Sequence, residues 1–535
     1  MGIESMNSEN RLLKYVAAFV LIIPFSVSVT AKPPENFDER IEEVRQKAGV
    51  PGMAVAIVEQ GEATLVKGYG TRKLGGNRPV DEATIFPTGS TGKAVTVAGL
   101  ALLVDKGMID WDDKVIDHLP WFRMYDPYVT REMTIRDLLV HRSGLGLGAG
   151  DLLFVPRTNL TRKESVRRLA HIKPATSFRY GYAYDNILYM VAGQLIEEVT
   201  GQTWEDYIAE HIFAKAGMSD STAASEPRFA AENRAFPHAR MNGGLRGAGD
   251  QEMLDERDEL GRTAAPAGGL ALSARDMATW LKIQLAHGKM PNGERLFSEQ
   301  SSKEMWTPVV LQPIGDLPPS LAAAQPNFDT YALGWDVSDY RGVKIVSHGG
   351  AVFGFQTVVA MIPGKDVGFA IMINSEDGQV LRGMMSELLD HYLDAPKADW
   401  PEKWAAFRQQ RIEIGLELLK SAQAKPAKVG PSRSLDAYAG EYVDPWYGKI
   451  VVGRDKQGLT IDFTSTPRMN GRLEHYQYDS FVTNLTDKAI EPAVVTFSLD
   501  AEGAVDRVTM KPLSPIADFS YDYQDLLFRP VAAKK

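Results

Sequence analysis

The pattern of this chain changes once, and that change restricts its fold more than any other feature. As far as Leu393, helical and strand patterns alternate; beyond Ser432 only short strand patterns remain. Tyr438 to Val443, Lys449 to Val452, Leu459 to Phe463, Arg472 to Tyr478, Phe481 to Thr483, Ala493 to Leu499, Val505 to Met510 and Asp518 to Tyr523 are rich in apolar and β-branched residues, with turn residues between them. Eight such runs predict a small antiparallel β-barrel. Residues 402–421 read as a charged helix, and Ala422 to Ser432 is an Ala/Lys/Pro linker.

The larger first part reads differently. Gly52 to Val58 and Ala63 to Gly70 form a predicted hairpin turning at Gln60-Gly61. Ala94 to Val104 is apolar nearly all round, which predicts a buried helix stopped at Lys106-Gly107. Tyr189 to Val199 is a second helix, and Val343 to Ser347, Phe355 to Ile362 and Val367 to Asn374 are consecutive strands. Two strands at the start and three at the end predict one antiparallel sheet closing around a helical middle, an α+β domain. Residues 222–265 and 311–328 are poorly periodic and read as long loops shaping a cleft.

The N-terminus carries a processing pattern. Arg11 and Lys14 precede an apolar run, Tyr15 to Val29, and Val29-Thr30-Ala31 supplies small residues before Lys32. The run is interrupted by Pro24 and falls short of the roughly 20 residues that span a bilayer, so it predicts a signal peptide cut after Ala31. The expected organisation is a signal peptide at 1–31, a first domain at 32–396, a helix and linker at 397–430, and a barrel at 431–535. The chain has no cysteine, which excludes disulfides and thiolate metal sites. Together these predict a periplasmic or secreted protein without stable membrane insertion. A net charge of −10 and the lack of any basic run give no reason to expect nucleic-acid binding.

Three separated motifs carry chemistry. Ser90-Thr91-Gly92-Lys93 is the sole Ser-x-x-Lys of the sequence and opens the predicted buried helix. Positions i and i+3 share a helix face, so a hydroxyl and an amine stand together, an arrangement that activates a nucleophile. Tyr184-Asp185-Asn186 precedes the second helix, and His348-Gly349-Gly350-Ala351 follows a predicted strand. A P-loop would need Gly at Pro87 and Ser or Thr at Ala94, and a hydrolase elbow would need Gly at Thr88. Neither fits. His141 and Ser143 lack a third catalytic partner and read as a supporting turn. The histidines show no metal-ligand spacing, and no cofactor is expected.

Residues 36–393 resemble the serine β-lactamase-related family, which includes class C β-lactamases, D-Ala-D-Ala carboxypeptidases, D-aminopeptidases and esterases. The resemblance rests on Ser90-x-x-Lys93, Tyr184-x-Asn186 and His348-x-Gly350 in that order. It is supported by Thr134-Ile135-Arg136-Asp137-Leu138-Leu139, His141-x-Ser143-Gly144-Leu145 and Pro266-Ala267-Gly268-Gly269-Leu270. The tail, with Tyr438-Ala439-Gly440-Glu441-Tyr442, Tyr447-Gly448 and Leu473-Glu474-His475, resembles the lipocalin-like domain appended to one branch of that family.

The resemblance implies a serine hydrolase in which Ser90 forms an acyl-enzyme. Lys93 or Tyr184 takes the Ser90 proton, and Asn186, His348 and Gly350 contact substrate. The N–H groups of Ser90 and Ala351 make the oxyanion hole, commonly worth about 3 kcal/mol per donor. Many relatives that bind a substrate carboxylate carry Lys where this chain has His348. Imidazole is mostly neutral at pH 7 and grips a carboxylate less firmly.

The expected activity is therefore cleavage of small peptides, including D-amino-acid-containing or linearised toxin peptides. The alternatives are a carboxylesterase, a weak β-lactamase or penicillin-binding protein, and a sensor that docks peptidoglycan fragments without turnover. The barrel is expected to pack on the first domain or on a neighbouring subunit, to limit substrate entry, and to offer a route to an oligomer. On that expectation, deleting 431–535 alters specificity or assembly but leaves Ser90 acylatable.

Overall fold

A computed structural model describes residues 32–257, 259–423 and 427–531. The expected signal peptide, 1–31, lies outside them. Among the described residues no helix is long and apolar enough to cross a membrane.

The first domain is built on one eight-stranded antiparallel sheet. Its order is Glu62–Gly70, Gly52–Glu59, Val367–Ile373, Phe355–Ile362, Val343–Val352, Asp336–Tyr340, Asp329–Tyr331 and Val310–Leu311. The hairpin turns at Gln60 and Gly61, both at positive φ. The two ends of this domain meet where Met53 pairs with Ile373 and Val55 with Ile371. Gly52–Glu59 is buried at every position, so it reads as continuous apolar sequence rather than alternation.

The helical middle contains the predicted buried helix, Lys93–Asp105, and the helix Ile187–Thr200, stopped by Gly201 at φ 73°. Two expected loops contain more structure than the sequence implied. Residues 222–265 hold the helix Ser225–Ala230 and a hairpin of His238–Asn242 with Gly249–Met253. Residues 311–328 include the short turn of helix Pro319–Ala324. Both regions hold short elements whose periodicity runs too few residues to register.

The C-terminal strands close an eight-stranded antiparallel barrel, Gly440–Asp444 through Leu527–Pro530. Its interior is filled by aromatic side chains, among them Tyr438, Tyr442, Phe463, Phe481, Phe497 and Phe528, all buried and several meeting edge to face. Seven of the expected strands are present. The eighth differs: Asp518 to Tyr523 is not a strand, and Leu527–Pro530 closes the barrel instead.

Pro33–Lys535 form one compact unit, and the apolar core runs without a break from the first domain into the barrel. Arg168 donates to the Trp446 carbonyl at 2.9 Å, and the Asn159 N–H and Thr158 hydroxyl both donate to Ser465 O at 2.9 Å. The barrel thus docks on the helical side of the first domain.

Candidate active site

Ser90 sits in a single turn of 3-10 helix, Gly89–Gly92, that runs directly into Lys93–Asp105. The turn stands against the strand Val343–Val352 at a distance only glycine permits. A Cβ on Gly89, itself at φ 56°, would lie 2.6 Å from the Ala351 nitrogen. A Cβ on Gly350 would lie 2.0 Å from the Thr88 carbonyl oxygen. These two glycines therefore bring the Ala351 backbone beside the Ser90 turn.

Lys93 is fully buried. Its Nζ lies 3.0 Å from Ser90 Oγ, 2.7 Å from Asn186 Oδ1 and 2.7 Å from Ala267 O. A neutral amine has two hydrogens and one lone pair. Asn186 Oδ1 and Ala267 O are acceptors and take the two hydrogens, which leaves the lone pair for the Ser90 hydroxyl. Burial pushes the Lys93 amine down to about 7, against the opposing pull of Asp151 and Asp185. Near neutral pH both forms of the amine are therefore present, and in the free base the lone pair faces Ser90 Oγ.

Tyr184 stands on the other side of the amine, its ring centroid 4.8 Å from Lys93 Nζ, with Tyr189 at 5.1 Å. Burial raises the Tyr184 phenol well above its ordinary value, and a hydrogen bond with Ser90 only partly opposes this. Asn186 begins the helix Ile187–Thr200 but does not cap it. Its side chain instead bridges Lys93 and Asp151, donating Nδ2–H to Asp151 Oδ2 at 2.8 Å.

His348 lies on the strand Val343–Val352 and is buried. Its Nδ1 donates to Gly349 O at 2.6 Å, and its Nε2 meets the Tyr331 hydroxyl at 2.7 Å. Burial, reinforced by the nearby Lys93, pushes the imidazole down to about 3. At neutral pH this position carries no charge. His141 and Ser143 form a buried support: Ser143 Oγ donates to Asp185 Oδ2 at 2.8 Å, the Asp185 N–H donates to His141 Nδ1 at 3.1 Å, and the His141 ring packs 4.2 Å from that of Tyr184.

Ser90, Tyr184, Asn186 and His348 line a cleft of about 1000 Å³. Gln312, Leu317 and Gln325, from the stretch read as a cleft-shaping loop, form part of its wall. Tyr331 belongs to the site through its contact with His348, whereas Trp306 and Trp335 are buried core. Along the cleft the strand Val343–Val352 has a free edge. Asp336–Tyr340 pairs with residues 343–347 only, and among the described residues no strand covers 348–352 on that side.

Several groups escaped the sequence. Ala267 O belongs to a quoted motif but acts through its backbone, which no side-chain pattern reveals. Asp151 is buried, and its role depends on Asn186 turning toward it. Ser520 and Asp522 fall in the segment read as a strand, yet Ser520 Oγ donates to Asp151 Oδ2 at 2.8 Å. Among the described residues no cluster of His, Asp or Glu is arranged to hold a metal.

Comparison with known proteins supplies two family matches. The Beta-lactamase family matches residues 37–393, and a family described as a domain of unknown function (DUF3471) matches residues 424–530. The chain is 27% identical over 468 residues to the unguisins hydrolase ungD of Aspergillus violaceofuscus (strain CBS 115571), covering 81% of this chain and 78% of that protein. It is 29% identical over 347 residues to penicillin-binding protein 4 of Amycolatopsis lactamdurans, covering 63% of this chain and 84% of that one. Among solved structures, the octameric penicillin-binding protein homologue from Pyrococcus abyssi matches with a TM-score of 0.57 at 21% identity, over 92% of this chain and 99% of that one.

Proposed function

The chain belongs to the Beta-lactamase family and is a serine hydrolase, and from that premise we propose that it cleaves amide bonds of small peptides through an acyl-enzyme on Ser90. One observation carries this reading: a fully buried amine, held at 2.7 Å by Asn186 Oδ1 and at 2.7 Å by Ala267 O, lies 3.0 Å from Ser90 Oγ.

Lys93 is the base. Its lone pair takes the Ser90 proton as Oγ attacks the carbonyl carbon, and the resulting oxyanion accepts the N–H groups of Ser90 and Ala351. The C–N bond then breaks, and the leaving amine departs with the proton from Lys93. Water, deprotonated in turn, releases the acid and restores the hydroxyl. Tyr184, with its phenol held well above the ordinary range, serves as a hydrogen-bond donor beside Ser90 rather than as a phenolate.

A peptide suits this cleft for two reasons. The uncovered edge at 348–352 offers backbone donors and acceptors that an extended peptide can pair with and a simple ester cannot. The uncharged His348 supplies no cation for a carboxylate at that position, which disfavours β-lactams and D-Ala-D-Ala termini. The unguisins hydrolase relative is consistent with a hydrolase of this type. Paired peptide p-nitroanilides and p-nitrophenyl esters test the reading. Amide turnover is expected; ester turnover without any amide cleavage would replace it with an esterase.

A further inference from the structure

Resting on that reading of Ser90 and Lys93, we propose that the barrel is a working part of the active site. Its segment 518–522 holds Asp151, Asp151 holds the Asn186 amide, and the Asn186 amide aims the lone pair of Lys93 at Ser90. The barrel, of the family described only as a domain of unknown function, thereby gains a role: it contributes positioning residues to the acylation step.

The chain of contacts is continuous. Ser520 Oγ donates to Asp151 Oδ2 at 2.8 Å, and Asn186 Nδ2 donates to that same oxygen at 2.8 Å. Asn186 Oδ1 then accepts from Lys93 Nζ at 2.7 Å. Asp522 grips the backbone on either side of Asp151, accepting the Gly150 N–H at 2.7 Å and the Leu152 N–H at 3.1 Å. Phe519 closes the clamp with its ring edge-on to Tyr184 at 5.9 Å. Its carbonyl lies where a Cβ on Gly148 would come within 2.6 Å, and the Gly148 N–H donates to Tyr184 O.

The orientation of one amide decides the chemistry. With Oδ1 toward Lys93, Asn186 takes a hydrogen from the amine and leaves the lone pair free. Flipped, it would present N–H to the amine and occupy that lone pair. Lys93 alone does not fix the choice, because an amine both donates and accepts. Asp151 fixes it by accepting Nδ2–H, and Ser520 and Asp522 fix Asp151. Asp151 stands within electrostatic reach of Asp518 and Asp522, Asp522 also feels Asp525, and Lys93 feels Asp151 and Asp185. Burial pushes Asp151 up to about 8 and Asp522 well above the carboxylate range.

This inference adds to the expectation that Ser90 stays acylatable in a chain lacking 431–535: acylation then proceeds more slowly. The test uses the full chain and a fluorophosphonate, which loses fluoride as it forms a P–O bond to Ser90. The labelling rate is measured per titratable site in the parent, Ser520→Ala, Ser520→Thr and Asp522→Asn, with thermal melts alongside.

Ser520→Ala and Asp522→Asn are expected to label about tenfold more slowly. Ser520→Thr, which keeps the hydroxyl, should recover the rate. Parent-like rates in Ser520→Ala and Asp522→Asn would overturn the proposal. So would a loss tracking the melting temperature that Ser520→Thr fails to recover. No labelling of Ser90 in the parent would instead overturn the reading of the site itself.

Discussion

Two regions build the same site by opposite means. The turn and helix from Gly89 to Asp105 carry Ser90 and Lys93 three residues apart, so one turn of backbone joins hydroxyl and amine. The barrel segment 518–522 reaches the site from more than 360 positions away along the chain, as the Ser520–Asp151 separation shows. The first region supplies reacting groups whose spacing is local. The second supplies hydrogen bonds that mean nothing until both domains are folded. Reacting atoms here are written by local geometry, and their tuning by tertiary contact.

If that contrast holds, changes in the helix should abolish chemistry while changes in its surroundings should weaken it. The largest loss is expected from Ser90→Ala, with peptide turnover falling at least about 10⁴-fold because no covalent intermediate forms. Retained turnover, measured on protein whose melt is unchanged, would remove Ser90 from the mechanism and dissolve the comparison.

A smaller loss, about 100-fold, is expected from Gly350→Ala. Its Cβ would come 2.0 Å from the Thr88 carbonyl, so the strand must withdraw from the nucleophile turn and carry the Ala351 N–H out of place. The loss should appear in kcat more than in KM, since the oxyanion forms only in the reaction. An equal rise in KM would assign the contact to substrate binding instead.

The mildest test is titration. Lys93 acts as the free amine, and its protonated form, dominant below about 7, is inactive. The kcat/KM profile should therefore rise with pH through a limb near 7. His348, pushed down to about 3, should add no second limb between pH 5 and 8. A profile governed by a group near 6.5 that vanishes in His348→Gln would shift the base from Lys93 to the imidazole.

Much of the fold was legible. The hairpin Gly52–Glu59 and Glu62–Gly70, the buried helix Lys93–Asp105 and the closing strands of the sheet carry long apolar runs with clear stops, and such runs report burial directly. Ser90, Lys93 and Asn186 were legible as motif residues, and the structure brings them within hydrogen-bond distance of one another through Lys93. Asp518 to Tyr523 was misread because its alternation of aromatic and polar residues imitates a strand. Tyr521 is buried and the exposed Phe519 sets its ring edge-on to Tyr184 for a different reason: the segment wedges between two domains. A departure from local pattern is expected where a segment serves a site rather than its own element.

The sequence by itself determined the sheet, the barrel and the nucleophile with its amine, because periodicity and a spacing of three are properties of neighbouring residues. Only the tertiary structure decided that Lys93 gives up its proton far more readily than an exposed amine, that His348 stays neutral near pH 7 and that Asn186 presents its oxygen to the amine. Each of those outcomes depends on what surrounds a group once water is gone. Burial and hydrogen-bond partners drawn from Ala267, Tyr331, Asp151 and Ser520 set them, and no stretch of chain contains all of these together.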